Sequence, residues 1–554
     1  MESTSSTSTV ATRVAVRFFS RSQIFSMSGV QQTTDNDTPY TRGEDSGQNQ
    51  WTWQHYNATV GYDGTFGRHV VSASAGILYN IYKTDFSQNG AAGKMVEYRH
   101  MTVNGAVNYA YDDRYVATFS FAADGSDNYR PGNRWGFYPS LGLGWIVSRE
   151  RFLRDSRMVD LLKLRASVGK NGWDPMGEMR YLWEGYYTGR GGLNTGNSEH
   201  TWHGGTALSY LPNPDVFAEK SLKYDAGIDL RLWNRLSLNV DLFLEKRSGI
   251  VTQDWMIPGA SGVDNPPYRN IGRMTNKGFE VQLSWADRIG DFNYALTGMA
   301  SYNSNKVDYM AEVVTVPTAA RTGRRLDALF GYVADGFYDW DDFDVGGELR
   351  EGLPKPTFGA VQPGDIKYKN LNGDTVIDEN DQTAIGDSYL PKLQYSFSLA
   401  ASYKGFDLFA LFQGAAGRDV NLLDAPLQNI AFRDNGNVYG IAEGRWAYYP
   451  EQGIDTRATA IYPRLSLQDN SNNYRNSTLW KRSGDFLKLR NVELGYTFAQ
   501  PSLSKAGISK IRIYLSGVNL LTVSRLMRDY DIDPEILSGH PALKSYNLGL
   551  TVTF

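Results

Sequence analysis

The chain has 554 residues, a formal charge of −4, a pI near 6.0 and no cysteine; disulfides, thiolate catalysis and Cys-based zinc sites are excluded, and nucleic acid has no basic footprint to bind. With 56 Gly, 35 Tyr, 25 Phe and 13 Trp but a mean hydropathy of only −0.43, the composition suits strands whose two faces meet different solvents. Charges and glycines interrupt every apolar run short of the roughly 18 residues a spanning helix needs, so helical membrane insertion is excluded.

Residues 1–50, rich in Ser, Thr, Gln and Asp, read as a loop or disordered segment. A secretory leader needs an unbroken apolar core of about 7–15 residues. Arg13, Arg17 and Arg21 break the only candidate, around Val14 to Phe19. The natural start of the secreted protein is therefore expected upstream of Met1, or the chain is a truncated product.

Residues 51–554 repeat one pattern, a segment of period-2 alternation followed by a Gly, Asp or Asn turn. A short turn falls at Asp112-Asp113, and a long connection at 173–221. That connection contains His200 and His203, whose spacing could serve a metal but reads more readily as a solvated loop without a third ligand. The other four histidines, His55, His69, His100 and His540, leave metal or triad chemistry thinly supplied.

Over 224–232, Tyr224, Ala226, Ile228, Leu230 and Leu232 oppose Asp225, Asp229 and Arg231. The partner segment 235–245 returns across Trp233-Asn234, and charges at every other position cannot sit in an oily core. Similar pairs occur at 279–285 with 294–302, at 391–403 with the segment after Lys404-Gly405, and at 486–498 with 511–521. In 486–498 the polar phase passes from Lys488 and Arg490 to Glu493 and Thr497, which predicts a β-bulge near Asn491. Long connections recur at 303–390 and 415–479. Counting all such segments gives about sixteen strands, an antiparallel transmembrane β-barrel with short turns on the periplasmic side and long loops outside. A propeller would show a blade repeat of roughly 40–50 residues, and none is present.

Within 303–390 the acidic run Asp339 to Asp344 reads as a solvated loop. Asn370, Asn372, Asp374, Asp378 and Asp381, with the Val376 carbonyl, stand at the spacing of a calcium loop. Asn370 stands where aspartate is usual and Thr375 where glycine permits the sharp turn, so Ca2+ competes with a hydrogen-bonded Asx turn. Trp183, Tyr186, Tyr187, Trp202, Trp340, Trp446, Tyr448 and Tyr449 could stack on sugar rings or peptide groups, or form an interfacial girdle. No cofactor is required.

Tyr546, Leu548, Leu550, Val552 and Phe554 alternate to the last residue, which resembles the terminal strand signal read by the outer-membrane assembly machinery. Further segments are similar to the SusC/RagA type of TonB-dependent transporter: Phe137-Tyr-Pro-Ser-Leu-Gly-Leu-Gly-Trp145, Leu161-Leu-Lys-Leu-Arg-Ala-Ser-Val-Gly169, Asn276-Lys-Gly-Phe-Glu280, Gly364-Asp-Ile-Lys-Tyr368, Asp485-Phe-Leu-Lys-Leu-Arg-Asn491 and Gly517-Val-Asn-Leu-Leu521. The resemblance covers roughly residues 50–554. It implies import of a bulky oligosaccharide or peptide across the outer membrane of a Bacteroidota bacterium, with a SusD-like surface lipoprotein as lid. It also implies a barrel of roughly 22 strands, a plug domain, and energy from the TonB–ExbB–ExbD system through that plug. Measured against that pattern the chain is incomplete, with the plug, the TonB-contacting segment and about six strands expected to be missing.

Enzyme readings find no nucleophile elbow and no paired-carboxylate motif. The competing function class is a secreted β-rich glycan-binding protein without transport, which would be soluble without detergent.

Overall fold

Sixteen long strands form one antiparallel sheet in the computed structural model, which describes residues 11–26, 29–31, 43–45, 48–84, 96–174, 181–185, 187–195, 201–208, 210–261, 265–314, 316–424, 440–467, 470–498 and 507–554. They are β1 (Ala11–Ser26), β2 (Gln48–Phe66), β3 (His69–Thr84), β4 (Val96–Tyr111), β5 (Tyr115–Ser126), β6 (Trp135–Ile146), β7 (Val159–Trp173) and β8 (Glu219–Leu232). They continue with β9 (Leu236–Gln253), β10 (Tyr268–Ile289), β11 (Phe292–Tyr309), β12 (Leu393–Tyr403), β13 (Phe406–Ala416), β14 (Phe486–Phe498), β15 (Lys510–Ser524) and β16 (Ser545–Thr553). Each pairs with its neighbour in this order, and among the described residues no ladder joins β1 to β16.

One boundary differs from expectation. The segment before residue 50 is not all loop, because β1 pairs along its whole length with β2. The arginines that break an apolar leader core occupy one parity, while Val14, Val16 and Phe18 occupy the other. Period-2 alternation looks polar to a test for continuous hydrophobicity.

Short turns fall where the alternation requires. Asp112 and Asp113 have φ of 51° and 53°, and Trp233 and Asn234 both have φ of 53°. Lys404 and Gly405, at 45° and 90°, complete a third turn of this kind. Two consecutive positive φ values match the right-handed twist of the flanking strands. At Gly405 an added Cβ would lie 2.9 Å from the Thr497 carbonyl oxygen, so only glycine fits without displacing β14.

The two faces of the sheet differ as the alternation demands. Val107, Phe119 and Leu141 stand side by side on β4, β5 and β6, and Leu494, Leu515 and Leu548 on β14, β15 and β16. All six are exposed. Phe397 and Phe412 stack on the same face with ring centroids 4.5 Å apart. An apolar belt of this extent needs lipid against it. The opposite parity carries cross-strand polar pairs such as Ser120 with Ser140 at 2.7 Å and Thr118 with Asn108 at 2.8 Å. That parity is the lumen wall.

The bulge expected near Asn491 is present. Phe412 faces Leu489 while Leu411 faces Asn491, leaving Arg490 as the extra residue. β15 answers it across the ladder, since Leu521 faces Leu489 and Val518 faces Asn491, with Asn519 held at φ 55° between them. The shift lets Leu487 and Leu489 below it and Val492 and Leu494 above it share the lipid face.

About 9–11 residues suffice for a strand to cross a bilayer, yet β10 has 22 and both β9 and β11 have 18. These strands continue beyond the membrane and carry the long loops. The packed interior lies there and not between strands. Tyr332, Ile366, Tyr368 and Ile377 come from the β11–β12 connection, Val420, Leu422, Tyr462 and Trp480 from β13–β14, and Leu526 and Ile532 from β15–β16. Trp480, 1% exposed, donates its indole N–H to the Asn473 carbonyl at 2.7 Å. Full burial of such side chains contributes roughly 1.5–3 kcal/mol each. The three loops therefore hold one another. The only α-helix among the described residues, α1 (Arg525–Tyr530), is capped by the Ser524 hydroxyl and seats Leu526 in this core.

Candidate functional site at the lumen wall and outer loops

The lumen wall is charged in clusters. Arg165 on β7 reaches Asp241 on β9 at 2.7 Å and Asp229 on β8 at 3.3 Å. Arg512 on β15 donates to Asp407 on β13 at 3.1 Å and to Glu493 on β14 at 2.5 Å. Each guanidinium bridges across a strand, which a side chain on a two-stranded reach can do only on one face.

A recess opens on the same wall where β2, β3, β4 and β5 approach the outer end of β7. Its volume is about 540 Å3, and Trp53, His100, Asp124, Trp173 and Asp174 are among its lining residues. Tyr98 and Tyr129 donate their hydroxyls to Asp174 at 2.7 and 2.8 Å, and the Asn128 amide donates at 3.0 Å. Thr102 donates to Asp124 at 2.5 Å, and His100 Nε2 lies 2.8 Å from it. His55 Nδ1 sits 2.7 Å from Asn80. Sequence reasoning missed this cluster, because its members lie on strands far apart in the chain; the available signal was Trp53, His55 and Trp173 on the polar parity.

At the outer rim, Lys488 Nζ lies 2.8 Å from Asp533 and 2.7 Å from Glu535, and Arg490 also pairs with Glu535. Burial pushes the Asp533 carboxyl up, but the Lys488 ammonium and the Glu535 N–H together outweigh it and hold that carboxyl below its ordinary range. Glu535 is likewise raised by burial and lowered further by Arg490 and Lys488. Both cations come from the family-like segment at 485–491, whose alternation places Lys488 inward and whose bulge adds Arg490.

The Gly364–Tyr368 segment has an equally physical basis. Asp365 is fully buried and accepts from Asn470 at 3.0 Å, Asn473 at 2.9 Å and the Gln362 N–H at 2.8 Å. Arg464 pairs with it at 2.7 Å. Gly364, at φ 91°, lies under the Trp446 ring, which an added Cβ would approach to 2.5 Å. Nearby, burial pushes the Tyr338 hydroxyl up to about 12.

The calcium-like loop is a chain of Asx turns. Asn370 Oδ1 accepts from the Gly373 N–H at 2.6 Å, Asn372 Oδ1 from Asp374 at 3.1 Å, and Asp374 Oδ1 from Val376 at 2.8 Å. Asp378 accepts from the Asn380 N–H at 2.8 Å. Asp381, fully buried, spends one oxygen on the Leu371 N–H at 2.7 Å and the other on Asp378 at 3.0 Å. Among the described residues no three His, Cys, Asp or Glu side chains gather in a metal-holding group.

The aromatic candidates are not brought together. Tyr187 and Trp202 are exposed on the hairpin Tyr187–Thr195 with Thr201–Leu208, Trp340 is exposed in a separate turn, and Trp446 is buried. Tyr448 lies under Arg457 at 3.9 Å, Tyr449 is exposed, and Trp183 is half-buried. Tyr186 and His200 fall outside the described residues. The Asp339–Asp344 run is a capping box, with Asp342 paired to Lys367 at 2.9 Å. The terminal residues Tyr546, Leu548, Leu550, Val552 and Phe554 run along the edge strand, the first four paired in register with Gly517, Leu515, Ile513 and Ile511.

A lipid-facing belt on one parity and a charged wall on the other, with packed outer loops, define a β-barrel sheet of the outer-membrane kind. The chain belongs to the family described as TonB dependent receptor-like, beta-barrel, whose model matches residues 3–520. The family is one of receptors and transporters, not enzymes. TonB-dependent receptor P3 of Formosa agariphila is 26% identical over 554 residues, covering 89% of this chain and 51% of the relative. TonB-dependent receptor SusC of Bacteroides thetaiotaomicron is 26% identical over 486 residues, covering 81% and 43%. The chain thus spans about half the length of the curated relatives it matches. The fold is similar to part of that of the RagAB peptide transporter, with a TM-score of 0.68 at 21% identity over 91% of this chain and 56% of that one. The SusC/RagA character read from the motifs is borne out by these likenesses.

Proposed function

We propose that the protein imports a bulky nutrient, an oligosaccharide or a peptide, through the outer membrane, and that this chain supplies barrel wall and outer loops. The observation that carries the reading is the two-faced sheet, with its exposed apolar belt on one parity and Arg165, Arg512 and their carboxylates on the other. The likeness to the TonB-dependent receptor SusC supports the importer reading, and the name of the RagAB peptide transporter supports the peptide class. The partners in this reading are a SusD-like lipoprotein over the outer loops and the TonB–ExbB–ExbD system acting through a plug domain. Tyr546 to Phe554 would present the assembly signal. Ca2+ held by Asn370, Asn372, Asp374, Val376, Asp378 and Asp381 is part of the same proposal, supported by their oxygen chemistry.

The test is membrane fractionation joined to uptake. The native protein should pellet with outer membranes, need detergent, and support energy-dependent entry of labelled oligosaccharides or peptides. Recovery from the soluble fraction with binding but no uptake would establish the secreted glycan-binding alternative instead.

A further inference from the structure

We infer that the short-turn end of β4 to β7 holds an anionic phospholipid of the adjoining leaflet, with an acyl chain in a groove of the lipid-facing wall and its phosphate on the arginines of the 147–158 turn. The groove is placed by parity. Tyr115 faces Trp145 and Ala117 faces Leu143 across β5 and β6, while Trp145 faces Leu164 across β6 and β7. All share the side of Phe119 and Leu141 in the exposed apolar belt. These five line the groove, whose volume is about 410 Å3; the intervening Val116, Gly144 and Arg165 belong to the lumen parity and meet it along the backbone. Position also fixes what covers it. β4 to β7 are hydrogen-bonded on both sides, so further strands can join the sheet only beyond β1 or β16. Anything in the lumen meets the opposite parity. Hydrocarbon is the medium on this one.

The groove ends on a polar foot. One Glu150 oxygen accepts from the Tyr115 hydroxyl at 2.6 Å and the Trp145 indole N–H at 3.1 Å, and the other accepts from Arg114 at 3.1 Å. Two belt side chains thus bring their polar tips to one carboxylate, as such side chains do where hydrocarbon gives way to headgroups. The chain then turns, with the Arg154 N–H on the Glu150 carbonyl at 2.8 Å. Positions four apart in a helical turn stand on one side, which sets Arg154 beside Glu150 at the mouth of the groove. The turn carries Arg149, Arg151, Arg154 and Arg157 against Glu150 and Asp155. Asp113 takes Arg149 at 2.7 Å, while Arg154 and Asp155, 3.6 Å apart, are both largely exposed. Among the described residues Arg151 and Arg157 have no ion-pair partner. Phe152, 72% exposed, and Met158, 48% exposed, stand between these cations. Apolar side chains interleaved with arginine suit an interface where the first enter the acyl boundary and the second meet phosphate. Turns such as Asp112-Asp113, Trp233-Asn234 and Lys404-Gly405 are two residues long and gather no such set. An amine-bearing headgroup would bring a charge that opposes the surplus of arginine, and an anionic one brings none.

The test uses the complete protein purified in detergent and offered phosphatidylglycerol, phosphatidylethanolamine and phosphatidylcholine of equal chain length. Native mass spectrometry reads the lipid retained, and brominated acyl chains report contact with Trp145 as quenching that is absent in Trp145→Phe. Phosphatidylglycerol should be held about tenfold more tightly than phosphatidylcholine. The joint change Arg151→Gln, Arg154→Gln and Arg157→Gln should bring the two within about twofold. Ala117→Trp, which fills the groove, should remove both retention and quenching. The arginine series leaves the belt untouched, so it decides the question even where Ala117→Trp fails to fold. Equal retention of the three lipids, or a preference unchanged by the arginine series, overturns the inference. So does a dimer that Ala117→Trp splits without any headgroup preference in the parent, because the groove is then an interface between copies.

Discussion

Lys488 on the lumen side of β14 reaches both carboxylate oxygens of Asp533, at 2.8 and 3.0 Å, with the two side chains 1% and 4% exposed. Water is excluded from this pair, so its partners depend on each other. Lys488→Met leaves Asp533 buried without its counter-charge, a change that costs about 3–5 kcal/mol. The 531–544 segment should then open. Limited proteolysis of intact cells should cut it in the variant and spare it in the parent.

The same contact sets a pH dependence. Asp533 and Glu535 are both held below their ordinary values in the folded state. A lowered carboxylate contributes stability that is complete above its unfolded pKa, near 4, and is lost as pH falls through the folded value. Hydrogen exchange across 531–544, taken relative to the intrinsic amide rate at each pH, should be unchanged from pH 8 to 5 and rise below about pH 4. A rise between pH 7 and 6 would contradict the assignment.

Two-sidedness predicts opposite outcomes for one substitution made at two nearby positions. Leu242 is exposed on the lipid face, opposite Ala226 and Phe279. Leu242→Arg should cost about 2–4 kcal/mol. Asn239→Arg, on the lumen face opposite Asp229, should stay within about 0.5 kcal/mol. Urea unfolding in liposomes reads both, and equal effects would remove the membrane assignment.

Gly405→Ala forces a Cβ toward the Thr497 carbonyl, 2.9 Å away, at a φ of 90°. A loss of about 1–3 kcal/mol is expected. Lys404→Asn should be neutral or stabilising, since asparagine tolerates the left-handed region better. The fraction of folded protein on unheated gels separates the two.

Calorimetric titration of the complete protein with Ca2+ tests the Asn370–Asp381 loop. One binding event, abolished by the joint change Asp374→Asn with Asp378→Asn, is expected. Absence of heat would leave the segment as the hydrogen-bonded turn that Asp381 already caps.

How much of this could be read beforehand follows from which forces are local. The hairpins at Trp233-Asn234 and Lys404-Gly405, and the bulge at Arg490, were legible because period 2 is written in adjacent residues. β1 escaped because its arginines weigh against an apolar core when parity is ignored. The loop core around Trp480 and Asp365 was hidden for another reason: its members come from three separate connections scattered between Tyr332 and Ile532, and no periodicity joins them. The Trp53 recess lies between the two cases, since parity marks each residue but only the ladder brings β2 beside β3 and β7 near β5.

The interlocked loops also divide the cell's outward face into two kinds of territory. Trp480, Ile366 and Leu526 form a keystone that cannot accept a changed residue in one loop without answering changes in the others. The hairpin bearing Tyr187, 75% exposed, and Trp202, 60% exposed, carries no such obligation. Antibodies and phages that grip this protein should therefore drive sequence drift in the hairpin and leave the keystone unaltered between strains.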